Sequence, residues 1–239
     1  MNSFSASALV LRRAEWRDYD RMVTLFTPEY GRMDAVARGC RRPRSPLINA
    51  SEPFTCGEYQ ILRVGDRNTI SQCRITEDFF ALREDYDRLT HGAYWLRLLE
   101  EVVVEGEPYE ALFHMTLRAL TYLTHSNLPP ALLTAMFEMQ LWRMTGFSPN
   151  MEDCVVCRAP ASRTALRFDA RRGGCVCAVC APGARLLFNY SCCSSDCRLR
   201  RQMRRFQMPD FYKAGRSLKY CPCWCRRGPY RRGAHDRRR

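Results

Sequence analysis

The first third of the chain alternates apolar and polar positions in short runs, a pattern typical of β-strands. Five such runs occupy 8–11, 22–26, 32–38, 54–64 and 69–75. Met33, Ala35 and Ala37 alternate with more polar positions, which predicts a strand with one face in a core. Five short strands joined by glycine-bearing turns predict a small closed barrel over residues 1–77, either an OB-fold or an SH3-like barrel.

From residue 78 the apolar period changes to three and four, which predicts helices. The first predicted helix has this apolar stripe: Leu82, Tyr86, Leu89, Ala93, Leu96, Leu99 and Val103. Its predicted outer face carries Glu84, Asp85, Arg88 and Glu100. Pro108 opens a second helix and Pro129-Pro130 a third, which Gly146 and Pro149 end. The pattern predicts a helical domain over 78–153, and an α+β multidomain fold for the whole chain.

Two C-x2-C pairs stand 19 residues apart, at Cys154/Cys157 and Cys177/Cys180. Two such knuckles place four thiolates around one tetrahedral ion, so residues 154–186 are predicted to form a zinc ribbon within the helical domain. Four thiolates leave no position for water, and the predicted Zn²⁺ is therefore structural. Cys175 with Cys177 gives an alternative pair of ligands. The pair Cys177 and Cys180 is preferred, because two C-x2-C turns can surround an ion in the same way.

The net charge of +13 is very unevenly distributed. Residues 187–239 carry 15 Lys and Arg against 3 Asp and Glu, whereas residues 1–186 carry 23 against 22. Within residues 1–186, the segment 1–76 holds 12 arginines and 8 acidic residues, and the segment 77–153 holds 5 arginines and 13 acidic residues. A basic barrel therefore precedes an acidic helical domain.

The tail at 187–239 contains 6 of the 14 cysteines and shows no apolar period of either kind. One interpretation is a basic arm that binds phosphate. The favoured interpretation is a shift of the reading frame, because the codons of 189–193 and 220–225 read from their third base give leucine- and valine-rich runs. Such runs would supply helices that a bundle needs.

Arginine is concentrated in the predicted barrel and above all in the loop after Gly39. Arg41, Arg42 and Arg44 lie on a short segment that two prolines stiffen, and guanidinium groups bind phosphate oxygens well. A solvated charged loop is the plain alternative. Four further arginines come from the first hairpin. The whole predicted phosphate-binding set is Arg12, Arg13, Arg17, Arg21, Arg38, Arg41, Arg42 and Arg44.

The segment ALVLRRAEWRDYDRMVTLFTPEYGRMDAVARGCRRPRS at 8–45 resembles the N-terminus of the RecO family of bacterial recombination-repair mediators. Further motifs of that family are Glu52-Pro53-Phe54, LRED at 82–85, GEP at 106–108, GFSP at 146–149, and CVVC followed by GG and CxxC. The resemblance covers about residues 8–186.

This resemblance implies an N-terminal OB-fold, a helical domain with an embedded zinc ribbon, and binding of single- and double-stranded DNA. It also implies partnership with RecR and with the acidic tail of the single-strand-binding protein, strand annealing, and help in loading RecA. A pocket of the helical domain receives that acidic tail in the family. The arginines available there are Arg97, Arg118 and Arg143.

Catalytic motifs are absent from the sequence, which contains neither a GK[ST] phosphate loop nor a G-x-S-x-G elbow. A zinc deaminase is excluded because the chain lacks the His/Cys-x-Glu partner of its knuckle. The remaining alternative is a zinc-stabilised protein-interaction adaptor with an SH3-like barrel. Since the chain has no long apolar run and no leader pattern, we expect a cytoplasmic protein without membrane contact. The family resemblance implies in addition that the protein is bacterial and nucleoid-associated.

Overall fold

The computed structural model describes residues 2–65, 67–150, 152–160, 166–169 and 171–181. The anomalous tail at 187–239 and the end of the predicted ribbon at 182–186 lie outside these residues. The chain divides into two compact units, Met1–Gly146 and Phe147–Arg239. The first contains the barrel and three long helices, and the second contains the two cysteine knuckles.

Five strands close into the predicted barrel in the order β1-β2-β3-β5-β4. They are β1 (Asn2–Trp16), β2 (Asp20–Thr27), β3 (Gly31–Ala37), β4 (Cys56–Val64) and β5 (Arg67–Glu77). β3 pairs with β5 in parallel, whereas every other pair is antiparallel. This is the order of an OB-fold. The SH3-like alternative is wrong, because an antiparallel meander would place β4 rather than β5 beside β3.

β1 is much longer than the run at 8–11 that the sequence predicted. Its first half pairs with β4, from Asn2 opposite Arg63, and its second half pairs with β2 as far as Trp16 opposite Asp20. A register shift between Val10 and Arg12 separates the two halves. The strand therefore bends at a bulge and closes the barrel by serving both neighbours.

The barrel core is built from alternate residues of all five strands. These residues are buried: Ala6, Ala8, Val10, Val23, Leu25, Met33, Ala35, Ala37, Tyr59, Ile61 and Ile70. The connection from β3 to β4 contains the short helix α1 (Leu47–Ala50), whose Leu47 and Ala50 join the same cluster. The Tyr59 hydroxyl donates a 2.8 Å hydrogen bond to the Ala50 carbonyl, so α1 closes one end of the barrel.

Three long helices follow: α2 (Tyr86–Val102), α3 (Glu110–His125) and α4 (Pro130–Met144). Leu82 lies before α2 in a 3-10 turn, Phe80–Glu84, because the Asp85 carboxylate caps the helix by accepting hydrogen bonds from two backbone N–H groups. α4 begins with Pro130 at its N-terminus, as predicted. None of the helices in the described ranges is long and apolar enough to cross a membrane.

The predicted buried face of α2 is partly wrong. Tyr86 and Ala93 are exposed, whereas Gly92 and Trp95 are buried. A Cβ at position 92 would lie 2.9 Å from Cε1 of Phe54, so glycine lets the helix approach the barrel closely. The Trp95 ring stacks on Phe137 of α4 at 4.5 Å between centroids. The helix face is therefore set by its barrel and α4 contacts, which periodicity does not reveal.

The helices contact the barrel through a pair of aromatic rings and through a close backbone approach at the start of β3. Phe26 of β2 meets the Phe113 ring of α3 edge-on, with 5.4 Å between centroids. Gly31, at φ 64°, approaches so closely that a Cβ there would lie 2.2 Å from the Val104 carbonyl oxygen. Barrel and helices are therefore joined at fixed positions within the first unit.

In the second unit a two-stranded sheet holds the cysteine knuckles. β6 (Leu166–Asp169) pairs antiparallel with β7 (Gly174–Cys177). A Cβ on Gly174, the first residue of β7, would lie 2.6 Å from the Asn150 carbonyl oxygen, and the preceding Gly173 has a φ of 66°. The Cys175 N–H donates to that same carbonyl at 2.8 Å and pulls the segment before the first knuckle against β7.

Candidate nucleic-acid interface and metal centre

Four thiols converge in the second unit. The Sγ atoms of Cys154, Cys157, Cys177 and Cys180 all lie within 4.8 Å of one another. The Sγ atoms of Cys157 and Cys177 are 3.6 Å apart. Four sulfurs at tetrahedral zinc distance from one ion lie about 3.8 Å apart, so the spacing fits such an ion. This group can hold a metal.

The two knuckles have equivalent backbone geometry. In the first, the Arg158 N–H donates to the Cys154 carbonyl at 2.8 Å. In the second, the Ala181 N–H donates to the Cys177 carbonyl at 3.1 Å. Each turn thus contains a backbone hydrogen bond from the residue four positions after its first cysteine. Cys175 lies outside the quartet, so the alternative pair of ligands does not describe the observed cluster.

Backbone N–H groups favour the thiolate form of two of the four sulfurs. The N–H groups of Cys157 and Cys177 lower the pKa of Cys154 to about 6, and the N–H of Cys180 lowers the pKa of Cys177. Hydrogen bonding to the Cys177 thiol raises the pKa of Cys180 to about 12. Four adjacent thiolates repel one another, and a divalent cation removes that penalty. The donor set therefore matches a cation that prefers sulfur.

One end of the barrel carries exposed arginines from two adjacent loops. We call these residues the arginine rim: Arg17, Arg38, Arg41, Arg42 and Arg44. Arg17 lies in the turn between β1 and β2, and the other four follow β3. Arg17 and Arg44 have φ of 55° and 62°, a left-handed backbone that non-glycine residues rarely adopt.

Backbone hydrogen bonds tie the two loops of the rim together. The Arg41 N–H donates to the Tyr19 carbonyl at 3.0 Å, and the Gly39 N–H donates to Asp20 Oδ1 at 2.7 Å. The Arg42 guanidinium carbon lies 5.5 Å from the centroid of the Tyr19 ring. Arg41 also approaches Glu15 at 3.5 Å, in a pair whose carboxylate is largely exposed. The structure thus brings the five rim arginines to neighbouring loops.

The other three arginines of the predicted set are held by carboxylates. Arg12 pairs with Glu100 of α2 at 2.8 Å. Arg13 and Arg21 both pair with Glu52, the latter at 3.0 Å. These contacts link the first hairpin to the helices and to the segment after α1. The sequence did not reveal them, because the partners lie about 30 to 90 residues away.

Two aromatic side chains of this end were not predicted as functional residues. Trp16 ends β1 and is 41% exposed, and Tyr19 lies in the following turn and is 51% exposed. The signal was present in the sequence, since both interrupt the arginine-rich stretch RRAEWRDYDR. Aromatic residues interleaved with arginine are typical of surfaces that bind single-stranded nucleic acid.

The three arginines predicted for partner binding lie on three different helices. Arg97 is on α2, Arg118 on α3 and Arg143 in the last turn of α4. All three are exposed. Arg97 forms ion pairs along its own helix, with Glu100 at 3.0 Å and Glu101 at 2.7 Å. A peptide carboxylate would therefore compete with these acids for Arg97.

Two family models match the chain. Recombination protein O N terminal matches residues 1–79, and Recombination protein O C terminal matches residues 83–216. The second match runs beyond residue 186, where the sequence motifs suggested that the resemblance ends. That boundary was therefore placed too early.

Several curated proteins named DNA repair protein RecO are similar to this chain. The one from Desulforamulus reducens is 31% identical over 191 residues, covering 80% of this chain and 74% of the relative. The one from Pelotomaculum thermopropionicum is 34% identical over 180 residues, covering 75% and 69%. The one from an Anaeromyxobacter species is 35% identical over 185 residues, covering 77% and 72%. With the closed barrel and the cysteine quartet, these matches show that the chain belongs to the RecO family of DNA repair and recombination proteins.

Proposed function

We propose that this chain is a non-enzymatic DNA-binding mediator that acts at the bacterial nucleoid. It anneals complementary single strands and assists the loading of RecA onto strands coated by the single-strand-binding protein. The observation that carries this proposal is the arginine rim, which stands on an OB-fold barrel in a chain of a DNA repair family. OB-folds bind nucleic acid through strand faces and loops, including the loop between their first two strands.

The rim, rather than the whole set of eight arginines, is the part that we assign to phosphate. Arg12, Arg13 and Arg21 already have carboxylate partners, and a phosphate would have to displace Glu52 or Glu100. The rim arginines are exposed, and Arg17 and Arg44 are held in a strained backbone of the kind that occurs at binding sites. We therefore expect most phosphate contacts at Arg17, Arg38, Arg41, Arg42 and Arg44.

Salt dependence of DNA affinity tests this assignment. Arg41, Arg42 and Arg44 are replaced together by Ala, and affinity for single-stranded DNA is measured at several salt concentrations. Each lost phosphate contact reduces the slope of log affinity against log salt by about 0.7, so the triple variant should lose about two units. The variant with Arg97, Arg118 and Arg143 replaced by Ala removes the same charge and should keep the slope. Equal slopes in all three proteins would contradict the proposal.

We assign Zn²⁺ to the cysteine quartet as a structural ion. The four sulfurs match tetrahedral thiolate coordination and leave no open position for a substrate or water. Metal analysis of reduced, folded protein should find one zinc per chain. A folded protein that contains no metal, or a different one, would contradict the assignment.

The helical part is assigned to protein partners, namely RecR and the acidic tail of the single-strand-binding protein. Residues 77–153 carry 5 arginines and 13 acids, so DNA is a poor ligand for this surface. We propose Arg97, Arg118 and Arg143 as contacts for the acidic tail. Titration with a peptide of that tail should show weaker binding after all three are changed to Ala, while the rim triple variant keeps its affinity. Unchanged peptide binding would reject these arginines.

For the tail at 187–239 we propose the frame shift rather than a basic arm, because its codons read in the shifted frame give leucine- and valine-rich runs. The family match as far as residue 216 is the observation against this proposal. Sequencing the coding DNA across codons 183–192 tests this directly. An altered frame, together with a higher unfolding midpoint of the restored protein, would support the proposal. An intact frame with a well-folded 1–239 chain would overturn it. In that case, removing the tail should weaken non-specific DNA binding steeply at low salt, because about 12 positive charges are lost.

A further inference from the structure

Two exposed aromatic residues, Trp16 and Tyr19, lie at the end of β1 and in the following loop of the arginine rim. Trp16 and Tyr19 expose 41% and 51% of their surface on either side of Arg17 and Asp18. An exposed aromatic residue is by itself ordinary. Here the backbone around Tyr19 is fixed from the neighbouring loop by the hydrogen bonds Arg41 N–H to Tyr19 O and Gly39 N–H to Asp20 Oδ1. The backbone that carries the ring is therefore held in place before any ligand arrives.

The Arg42 side chain packs against the Tyr19 ring. Its guanidinium lies 5.5 Å from the Tyr19 ring centroid, within the range of a cation–π contact. A guanidinium over one face of the ring leaves the opposite face for stacking, and every nucleic-acid base has a matching π-face. Because the loops are already tied, stacking a base here orders little additional chain.

The charge around the pair favours an anionic polymer. The two loop segments, 15–20 and 38–44, contain five arginines and the three carboxylates Glu15, Asp18 and Asp20. Asp20 is engaged by the Gly39 N–H and Glu15 by Arg41. Rings for bases and guanidinium groups for phosphates therefore occur within one surface, which is the combination that single-strand binding uses.

We infer that Trp16 and Tyr19 form a base-stacking subsite, with Arg42 alongside, that makes this end of the barrel prefer single-stranded over double-stranded DNA. This inference rests on the proposed DNA-binding function and deepens it. Duplex DNA hides its base faces in the stack, so it meets only the arginines. Rim charge and aromatic stacking then have separate effects, the first on salt dependence and the second on strand preference.

The test uses the full chain and the single substitutions Trp16→Leu and Tyr19→Leu. Affinity is measured for an oligothymidine of about 20 nucleotides, longer than the roughly 4–16 nucleotides that one OB-fold covers, and for a duplex of equal length. Each substitution should weaken oligothymidine binding about tenfold and leave duplex binding within about twofold. The salt slope should not change, because no phosphate contact is lost.

Two further variants separate stacking from folding. Tyr19→Phe keeps the ring and should keep full affinity for the oligothymidine. Tyr86→Leu removes an aromatic side chain that is 80% exposed on α2 rather than on the rim loops, and it should change the binding of neither ligand. If one Leu variant fails to fold, the other still gives the answer, since the two residues lie on the strand end and in the turn.

The outcomes distinguish this inference from the proposed function. Wild-type protein that binds both DNA forms, with Leu variants that bind both unchanged or lose both equally, overturns the stacking subsite and leaves the DNA-binding function standing. Wild-type protein that binds neither form overturns both. Selective loss of oligothymidine binding supports both.

Discussion

The barrel and the cysteine unit are both small β structures, yet different forces stabilise them. The barrel buries a cluster that includes Val23, Leu25, Tyr59 and Ile61. The corresponding cluster in the described part of the cysteine unit contains Cys154, Cys175, Val176 and Cys177. Burial of apolar surface holds the first, whereas the second depends on a group of thiols. The barrel should therefore be sensitive to truncation of core side chains, and the cysteine unit to loss of metal.

Metal removal should have the largest effect and should act on one unit. Cys154→Ser removes a sulfur of the quartet, and forming such a site is worth on the order of 10 kcal/mol of folding free energy where the apo site is disordered. Hydrogen exchange should rise across 152–181 and stay unchanged in the barrel. Cys175→Ser is the matched control, because this buried cysteine lies outside the quartet and the variant should keep the metal.

A barrel that loosens together with the knuckles would show that the two units are one folding unit. Loss of metal from the Cys175→Ser variant would favour the alternative ligand pair of Cys175 and Cys177.

Core truncation should act on the other unit. Leu25 is fully buried in the barrel, and Leu25→Ala should cost about 2–5 kcal/mol through lost burial and the cavity that remains. Denaturant unfolding followed by barrel signals measures this loss, while zinc content should stay at one per chain. Val64→Ala, at a position 51% exposed, should change stability by less than about 0.5 kcal/mol. Zinc loss in the Leu25→Ala variant would contradict the separation.

An intermediate effect is expected where helix α2 meets the barrel. Gly92→Val places side-chain atoms against the Phe54 ring, which a Cβ already approaches to 2.9 Å, and overpacking of this kind costs about 1–3 kcal/mol. The double variant Gly92→Val with Phe54→Leu should recover part of the loss in thermal unfolding. Full additivity of the two substitutions would show that the close approach does not limit stability.

The smallest effect is expected at the ion pairs between barrel and helix. Glu100→Gln removes the partner of Arg12, whose side chain is 55% exposed, so the loss should stay below about 1 kcal/mol after screening by water and salt. Glu101→Gln, which removes an exposed partner of Arg97 on α2, is the control and should have a similar or smaller effect. If Glu100→Gln alone lowered the free energy of unfolding by several kcal/mol, polar contacts would be the main interaction between the barrel and α2.

The sequence predicted the features that depend on local pattern and spacing. Alternation located β2 and β3, a proline pair located the start of α4, and two C-x2-C pairs located the cysteine quartet. It missed the first half of β1, although Phe4 and Ala6 alternate there with Ser3 and Ser5, because serine and alanine lack the β-branched or aromatic side chains that are typical of strands. Small residues suit a crowded barrel interior but give a weak signal.

The arginines show a second limit of local reading. Charge density marked Arg12, Arg13 and Arg21 as equal to the rim arginines, but distant carboxylates neutralise these three in the folded chain. Arg88, predicted on the outer face of α2, instead donates to the Ser126 carbonyl at 2.7 Å. The role of a long cationic side chain depends on acceptors that the fold brings to it, and one-dimensional spacing does not contain them.

The double pairing of β1 has a consequence for the newly made chain on the ribosome. β1 is made before the other barrel strands. Its second half can pair with β2 soon afterwards, but Asn2 to Ala8 must wait for β4, which ends at Val64. Until then the nascent hairpin exposes an unpaired strand edge, which is a template for intermolecular pairing. The barrel can therefore close only after β4 and β5 have both been made. Stalled or truncated chains that end before β4 should be prone to aggregation.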